Sequence, residues 1–168
     1  MMTNIIPIAG TISNKTLKLV VDKLINIKDM DPINVVISSP GGDVYAGLAI
    51  YDALKLVPNK KIITIVGQAM SIATIVLLAG DERRATPNSR IMIHLPNISG
   101  NDMTTVDLRK EQKELEVLNR IMIGIYTKET SKPKSFWNKS IRDNTDTYYT
   151  LTEAKKIGLI HRVVRKLK

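Results

Sequence analysis

The chain contains no cysteine, only two histidines and only 4 % aromatic residues among its 168 positions. The absence of cysteine excludes disulfides, thiolate metal sites and cysteine nucleophiles together. With no pair of histidines at a metal-binding spacing, only carboxylates remain as metal ligands, so we expect neither a metal nor a cofactor. Because aromatic side chains are scarce, aliphatic side chains must fill the core.

A long hydrophobic run is also missing. The longest nearly apolar stretch, residues 69–80, is too short to cross a bilayer. Residues 1–10 are too few and too interrupted for a signal peptide. We therefore expect a cytoplasmic protein without a membrane association. The composition, 43 % hydrophobic and 24 % charged, is typical of a globular protein, and the length predicts a single domain over residues 1–168.

The formal net charge is +9, and lysine and arginine are concentrated in residues 155–168. Such a cluster is typical of a nucleic-acid patch or of a solvated face. No aromatic residues interleave with these charges as a base-stacking surface would require. We therefore expect the basic segment to be a solvated face and expect no nucleic-acid partner.

Hydrophobic periodicity predicts an alternation of strands and helices. Runs rich in β-branched residues predict strands at 5–8, 33–38, 61–66, 90–95 and 159–164. Apolar residues at helical spacing predict helices over 17–27, 43–56, 69–79 and 103–130, and a capping box predicts a short helix from Thr150. Because strands and helices alternate through the first half of the chain, the pattern predicts an α/β fold with parallel pairing and right-handed crossovers.

The segment 38–43, Ser-Ser-Pro-Gly-Gly-Asp, joins a predicted strand to a predicted helix. Its two glycines, Gly41 and Gly42, permit backbone conformations that are closed to other residues, and amides at a helix start favour negative charge. The segment is therefore either an anion or oxyanion site or a plain tight turn. A P-loop is excluded, because no Gly-Lys-Ser or Gly-Lys-Thr follows.

Ser71 ends the segment Gly-Gln-Ala-Met-Ser at 67–71, between a predicted strand and the apolar helix. At such a junction a serine hydroxyl is accessible, and helix amides can face a developing oxyanion. The segment is not the Gly-x-Ser-x-Gly elbow, since Ala69 and Ala73 take the glycine places. Taken alone, a serine at such a position is usually a helix cap or a hydrogen-bonded hydroxyl without a catalytic role.

Other candidate side chains are histidines and aspartates. His94 lies on a strand that otherwise looks buried, where a lone histidine is most often a core residue, whereas His161 looks solvent-facing. Asp143 and Asp146 lie in a polar stretch before a predicted helix. Either carboxylate could orient a histidine, and either could be a turn residue.

Taken together and in this order, the motifs resemble the Clp protease proteolytic subunit. The resemblance extends over roughly residues 4–165. It is carried by Ser-Pro-Gly-Gly at 39–42, Gly-Gln-Ala-Met-Ser at 67–71, Pro-Asn-Ser-Arg-Ile-Met-Ile-His at 87–94 and Glu-Ala-Lys-Lys-Ile-Gly-Leu-Ile at 153–160.

The resemblance implies a catalytic triad and an oxyanion hole. Ser71 would be the nucleophile, His94 the general base and Asp146 the carboxylate that orients the histidine. The backbone N–H groups of Gly42 and Ile72 would form the oxyanion hole. A serine hydroxyl needs such a base, and the base needs such a carboxylate. The implied activity is that of a serine endopeptidase that cleaves peptides and unfolded proteins inside a closed oligomeric chamber.

The resemblance also implies a fold and an assembly. The fold is the ClpP/crotonase-type α/β spiral with a long protruding handle helix, here about residues 103–130. That helix joins two stacked heptameric rings of a homo-oligomer in the family. We expect a partner copy to bury its apolar stripe, which consists of Leu115, Leu118, Met122 and Ile125.

Family members carry an N-terminal extension that docks an AAA+ unfoldase driven by ATP. Here only Met1, Met2 and Thr3 precede Asn4, next to the first predicted strand, so we expect weak stimulation by an unfoldase. The short form is similar to Clp-like peptidases of some phages, in which the role can be capsid maturation.

Two alternatives have different functions. A Clp-like subunit that has lost proteolysis would serve as an assembly or scaffold protein, although the presence of both Ser71 and His94 argues against it. A crotonase-like acyl-CoA enzyme would use its glycine turn as an oxyanion hole without a Ser–His pair.

Overall fold

The computed structural model describes residues 4–27, 30–96, 105–141 and 146–166. The strands are β1 (Ile5–Ala9), β2 (Ile33–Ser39), β3 (Lys61–Met70), β4 (Glu82–Ala85), β5 (Arg90–Ile93), β6 (Thr147–Tyr149) and β7 (Arg162–Val163). The helices are α1 (Asn14–Ile25), α2 (Val44–Leu56), α3 (Ile72–Leu78), α4 (Thr105–Glu129), α5 (Lys134–Ile141) and α6 (Leu151–Lys156).

Within the described residues, the strands form one sheet in the order β1-β2-β3-β4-β7, and all of these neighbours pair in parallel. The sheet branches at strand β3. The first half of this strand pairs with β4, where Ile63 lies opposite Arg83, and its second half pairs with β5, where Ala69 lies opposite Ile91. Strand β6 then pairs with β5 in the antiparallel direction. The predicted α/β class with parallel pairing is therefore confirmed.

Aliphatic side chains fill the core, as the scarcity of aromatics predicted. Alternate residues of β2 are buried, and they are the aliphatic Ile33, Val35 and Ile37 and, at the end of the strand, Ser39. Every residue of α3 is buried, in accordance with its uniformly apolar sequence. This helix contacts α2, α4 and β3, so it lies at the centre of the packing.

Local sequence signals account for several helix ends. The Asp43 carboxylate accepts a hydrogen bond of 2.7 Å from the Ala46 N–H and caps α2. The predicted capping box between Thr150 and Glu153 opens α6. Gly158 follows the same helix with a φ of 84°, the left-handed conformation in which glycine commonly ends helices.

Some predicted boundaries were wrong. Strand β3 does not end at Gly67 but runs on to Met70, so α3 begins at Ile72 rather than at Ala69. The φ of 85° at Gly67 bends the strand without ending it, because its second half finds a new partner in β5. The last strand covers only Arg162–Val163 rather than residues 159–164.

Strands β4 and β6 and helix α5 were not predicted. Strand β4 carries Arg83, whose side chain is buried although it is charged. Its guanidinium donates hydrogen bonds to the carbonyl oxygens of Gly80, Glu129, Gly158 and Leu159, at 2.8–3.1 Å. A buried charge requires such partners. Arg83 thereby joins the end of α4 to the turn after α6.

The long helix predicted at about 103–130 is confirmed over Thr105–Glu129, and residues 103 and 104 lie outside the described residues. The expectation that only a partner copy could cover its apolar stripe was wrong for Leu118 and Met122. Both are buried within this chain, because α3 and α5 pack against α4. The apolar residues that remain exposed on α4 are Val106, Leu108, Val117 and Ile121.

None of the helices within the described ranges has both the length and the apolar character needed to span a membrane.

Candidate active site

Ser71 and His94 meet because they follow neighbouring parallel strands. Strand β3 ends at Met70 and β5 ends at Ile93, and Met70 lies opposite Met92 in the ladder. The carboxyl ends of parallel strands reach the same edge of the sheet, so the residues that follow them are neighbours. The Ser71 Oγ lies 2.7 Å from the His94 Nε2, which is hydrogen-bond distance.

Asp146 reaches the same edge from the opposite direction. It precedes β6, which is antiparallel to β5 and places Thr147 opposite Ile93, so Asp146 comes beside His94. Its Oδ1 lies 3.9 Å from the His94 Nδ1, an ion-pair distance rather than a hydrogen bond. The Asp146 side chain is 53 % exposed and that of His94 is 23 % exposed. The other candidate, Asp143, lies outside the described residues.

The backbone at Ser71 is strained. Its φ of 55° and ψ of −131° make it the one non-glycine residue with a positive φ in the described part of the chain. Such conformations cost about 1–3 kcal/mol and persist only when the surroundings impose them. Here the Ser71 N–H donates to the Met92 carbonyl at 2.9 Å, while the Ser71 carbonyl accepts from Thr74 Oγ1 at 2.6 Å.

The glycine turn predicted to be functional packs directly on the serine. A Cβ built on Gly41 would lie 2.7 Å from the Ser71 Cβ and 3.2 Å from its Oγ. A Cβ on Gly42 would lie 2.3 Å from the Ile12 carbonyl oxygen. The φ values of these glycines are 101° and 143°. Only glycine therefore fits at either position, and the turn brings bare backbone beside the hydroxyl.

In the glycine turn and at the start of α3, the N–H groups of Gly42 and Ile72 have no intramolecular acceptor among the described residues. Ile72 opens α3, and the first N–H groups of a helix have no partner within it. In the isolated bridge between Ile12 and Gly42, the bonds run from Ile12 N–H to Gly41 and from Asp43 N–H to Ile12. The Gly42 N–H therefore takes part in neither bond.

Sequence reasoning missed two buried groups behind the serine. Tyr126, on α4, pairs through its hydroxyl with Thr74 Oγ1. Its ring stacks on Trp137 with centroids 4.7 Å apart. Burial raises the pKa of the Tyr126 phenol, so it stays protonated. The available signal was Thr74, a hydroxyl residue inside an otherwise apolar helix.

A groove of about 720 Å³ opens beside Leu95, the residue after His94. Asn119 and Ile123 of α4 and Asn138 and Lys139 of α5 also line it. The lining combines apolar and polar side chains.

His161 does not belong to this site. It is exposed, as predicted, and its Nδ1 accepts a hydrogen bond from the Arg83 N–H at 3.0 Å. Partial burial and the nearby Arg83 charge lower its pKa. In the described part of the chain, no group of three or more histidine, aspartate or glutamate side chains is arranged to hold a metal ion.

Comparisons with known proteins agree in one family. A family model described as Clp protease matches residues 1–167. An ATP-dependent Clp protease proteolytic subunit from Deinococcus radiodurans is 37 % identical over 166 residues, which cover 95 % of this chain and 79 % of the relative. A mutant of ClpP1 from Listeria monocytogenes superposes with a TM-score of 0.88 at 25 % identity, covering 98 % of this chain and 92 % of that one.

The comparisons confirm the resemblance seen in the sequence, and nothing in them favours a scaffold subunit or an acyl-CoA enzyme. The α/β fold and the serine-peptidase class agree with the geometry at Ser71 and His94. The chain belongs to the Clp protease family and is a serine-type endopeptidase.

Proposed function

We propose that this endopeptidase cleaves peptide bonds with Ser71 as the nucleophile, His94 as the general base and Asp146 as the carboxylate that orients the base. The observation that carries the proposal is the 2.7 Å contact between the Ser71 Oγ and the His94 Nε2. A serine hydroxyl is a weak nucleophile until a neighbouring base accepts its proton, and this contact provides the base.

The reaction follows from this geometry. The Ser71 Oγ attacks the carbonyl carbon of the scissile bond while the His94 Nε2 takes its proton, which gives a tetrahedral intermediate. The histidine then passes that proton to the departing amine, and an acyl-enzyme remains. Water, deprotonated by the same nitrogen, attacks the ester, and the proton returns to Ser71 as the acid product leaves.

Asp146 acts on the other side of the imidazole ring. A carboxylate at the Nδ1 keeps the proton on that nitrogen, leaves the Nε2 free to accept, and stabilises the imidazolium. The separation of 3.9 Å is longer than a hydrogen bond. Catalytic hydrogen bonds are often long before substrate binds and tighten in the complex. We therefore infer that substrate binding shortens the His94–Asp146 contact.

The N–H groups of Gly42 and Ile72 serve as the oxyanion hole. Both donors lack an acceptor among the described residues. Ile72 follows Ser71 directly, and Gly42 follows Gly41, whose added Cβ would lie 3.2 Å from the Ser71 Oγ. A preorganised donor aimed at the oxyanion contributes about 10²–10³ in kcat. The need for bare backbone at this point explains why Gly41 and Gly42 precede Asp43.

The substrates are peptides and unfolded polypeptides, and the subunits form stacked heptameric rings in the cytoplasm. Family membership supports the assembly. The exposed side chains of Val106, Val117 and Ile121 on α4 support it as well, because three apolar groups along one helix are costly to leave in water.

Two measurements test the proposal. A fluorophosphonate probe should label the wild-type protein at Ser71 and should not label Ser71→Ala. The variant should keep the native mass and unfolding temperature of the wild type but hydrolyse a fluorogenic peptide at less than about one hundredth of its kcat. Retention of more activity would place the nucleophile elsewhere, and a monomeric mass by light scattering would refute the ring assembly.

A further inference from the structure

The carbonyl oxygen of Ser71 is the end of a short chain of buried hydroxyl groups. It accepts a hydrogen bond from Thr74 Oγ1 at 2.6 Å, and Thr74 Oγ1 in turn pairs with the Tyr126 hydroxyl. A carbonyl oxygen can only accept, so the single hydroxyl proton of Thr74 is committed to Ser71. Tyr126 is therefore the donor to Thr74, and the chain runs Tyr126 to Thr74 to Ser71.

These hydrogen-bonded hydroxyl groups are isolated from water. Thr74 and Tyr126 are both fully buried, so no solvent molecule can replace either hydroxyl. Tyr126 is held in place by its stacking on Trp137, whose indole N–H donates to Thr130 Oγ1 at 3.1 Å. The phenol thus approaches Thr74 from a rigid support formed by α4 and α5.

The Ser71 carbonyl matters because of the peptide bond that contains it. That peptide joins Ser71 to Ile72, and in a planar trans peptide the C=O and the N–H point in opposite directions. Whatever holds the Ser71 carbonyl therefore also sets the direction of the Ile72 N–H. The Thr74 N–H also donates to this carbonyl, at 3.0 Å, so the shorter bond from the Thr74 hydroxyl adds a second donor that fixes the peptide next to the strained ψ of −131° at Ser71.

We propose that Thr74 and Tyr126 are positioning residues that hold the Ser71–Ile72 peptide so that the Ile72 N–H faces the oxyanion. The inference rests on the proposed function, in which this N–H is an oxyanion donor. Neither side chain touches substrate; both act through the peptide plane.

Three variants separate positioning from packing. Thr74→Val keeps the branched shape and loses the hydroxyl, Thr74→Ser keeps the hydroxyl, and Tyr126→Phe keeps the stacked ring. Each is assayed for kcat and KM on a fluorogenic peptide, for inhibition by a peptide aldehyde, and for thermal unfolding. The aldehyde adduct of Ser71 carries a negative oxygen, so its affinity reports on the oxyanion hole.

Thr74→Val should lower kcat about ten- to a hundredfold, somewhat less than the loss caused by removing an oxyanion donor. Its KM should stay within about twofold, and aldehyde affinity should fall in parallel with kcat. Tyr126→Phe should lose about three- to tenfold in kcat, as a small misplacement does. Thr74→Ser should stay within about threefold of wild type, because its hydroxyl rescues the bond.

The outcomes are distinguishable. A wild-type protein that neither hydrolyses the peptide nor binds the aldehyde refutes the proposed function, whatever the variants do. An active wild type with kcat of Thr74→Val unchanged, or with Thr74→Ser as impaired as Thr74→Val, overturns the positioning role alone. If Thr74→Val does not fold, Tyr126→Phe decides, and a loss smaller than about threefold overturns the inference.

Discussion

Replacing Gly41 by alanine should disable the enzyme while leaving it folded. A Cβ at this position would lie 2.7 Å from the Ser71 Cβ and 2.9 Å from the Met70 carbonyl oxygen. Carbon atoms in contact are normally about 3.5–4.0 Å apart, so the turn and the serine must separate by roughly 1 Å. Such a shift breaks the 2.7 Å contact between the Ser71 Oγ and the His94 Nε2.

The Gly41→Ala substitution should reduce both the stability and the activity of the enzyme. The positive φ of 101° at Gly41 costs an alanine about 1–2 kcal/mol in stability. Overpacking against Ser71 adds about 1–3 kcal/mol. A displacement of Ser71, the proposed nucleophile, by about 1 Å should lower the rate by about 10²-fold. We therefore expect a loss of about 2–5 kcal/mol of unfolding free energy and a loss of kcat/KM of about two orders of magnitude.

Gly10→Ala is the matched control. Gly10 also has a positive φ, 75°, but a Cβ built on it meets nothing within 4 Å. This variant should lose only the about 1–2 kcal/mol that the positive φ costs an alanine, without the overpacking cost, and should keep its activity. The assays are hydrolysis of a fluorogenic peptide and urea unfolding. Equal kcat/KM values for Gly41→Ala and Gly10→Ala would refute the reasoning.

Three further predictions concern the carboxylate, a helix and the acid side of the stability profile. Asp146→Asn should lower kcat by about 10⁴, as substitutions that favour the wrong histidine tautomer do, while Asp143→Asn should stay near wild type; the reverse result in peptide hydrolysis would exchange their roles. Gly124→Ala should raise the free energy of unfolding by about 1 kcal/mol, because Gly124 lies inside α4 with nothing within 4 Å of an added Cβ; an unchanged urea midpoint would contradict this. Although burial opposes its ionisation, hydrogen bonds from Tyr51 and Lys55 lower the pKa of Glu129. Its contribution to stability is therefore present above the unfolded pKa of about 4.3 and is lost as the pH falls through the lower folded value. Unfolding temperatures of Glu129→Gln should depend less on pH in that range than those of wild type.

The sequence by itself determined the parts that depend on local pattern. Apolar periodicity identified the alternating elements up to β3, the buried character of α3 and the length of α4. Motifs singled out Ser71, His94 and the glycine turn before any geometry was known. These predictions succeed because helix periodicity, capping and glycine conformations are properties of a few neighbouring residues.

Tertiary structure alone decided how distant segments combine. The division of β3 between β4 and β5 could not be read from residues 61–70, because Gly67 looks like a strand end until β5 is available as a partner. Strand β4 was not predicted from the sequence, and only the four carbonyl acceptors of Arg83 explain a charge in this buried strand.

The candidate site also combines features that the sequence predicts with features that only the tertiary structure decides. Residue types and spacing were sufficient to nominate Ser71 and His94, but their contact exists because β3 and β5 end at one edge of the sheet. The approach of Asp146 depends on the antiparallel β6, a strand too short for any periodic pattern. The hydrogen bonds that link Tyr126, Thr74 and Ser71 could not be predicted from the sequence, because Tyr126 is far from the other two residues in the chain. Hydrogen bonds between such residues form only when packing brings them together, and local propensities carry no information about that packing.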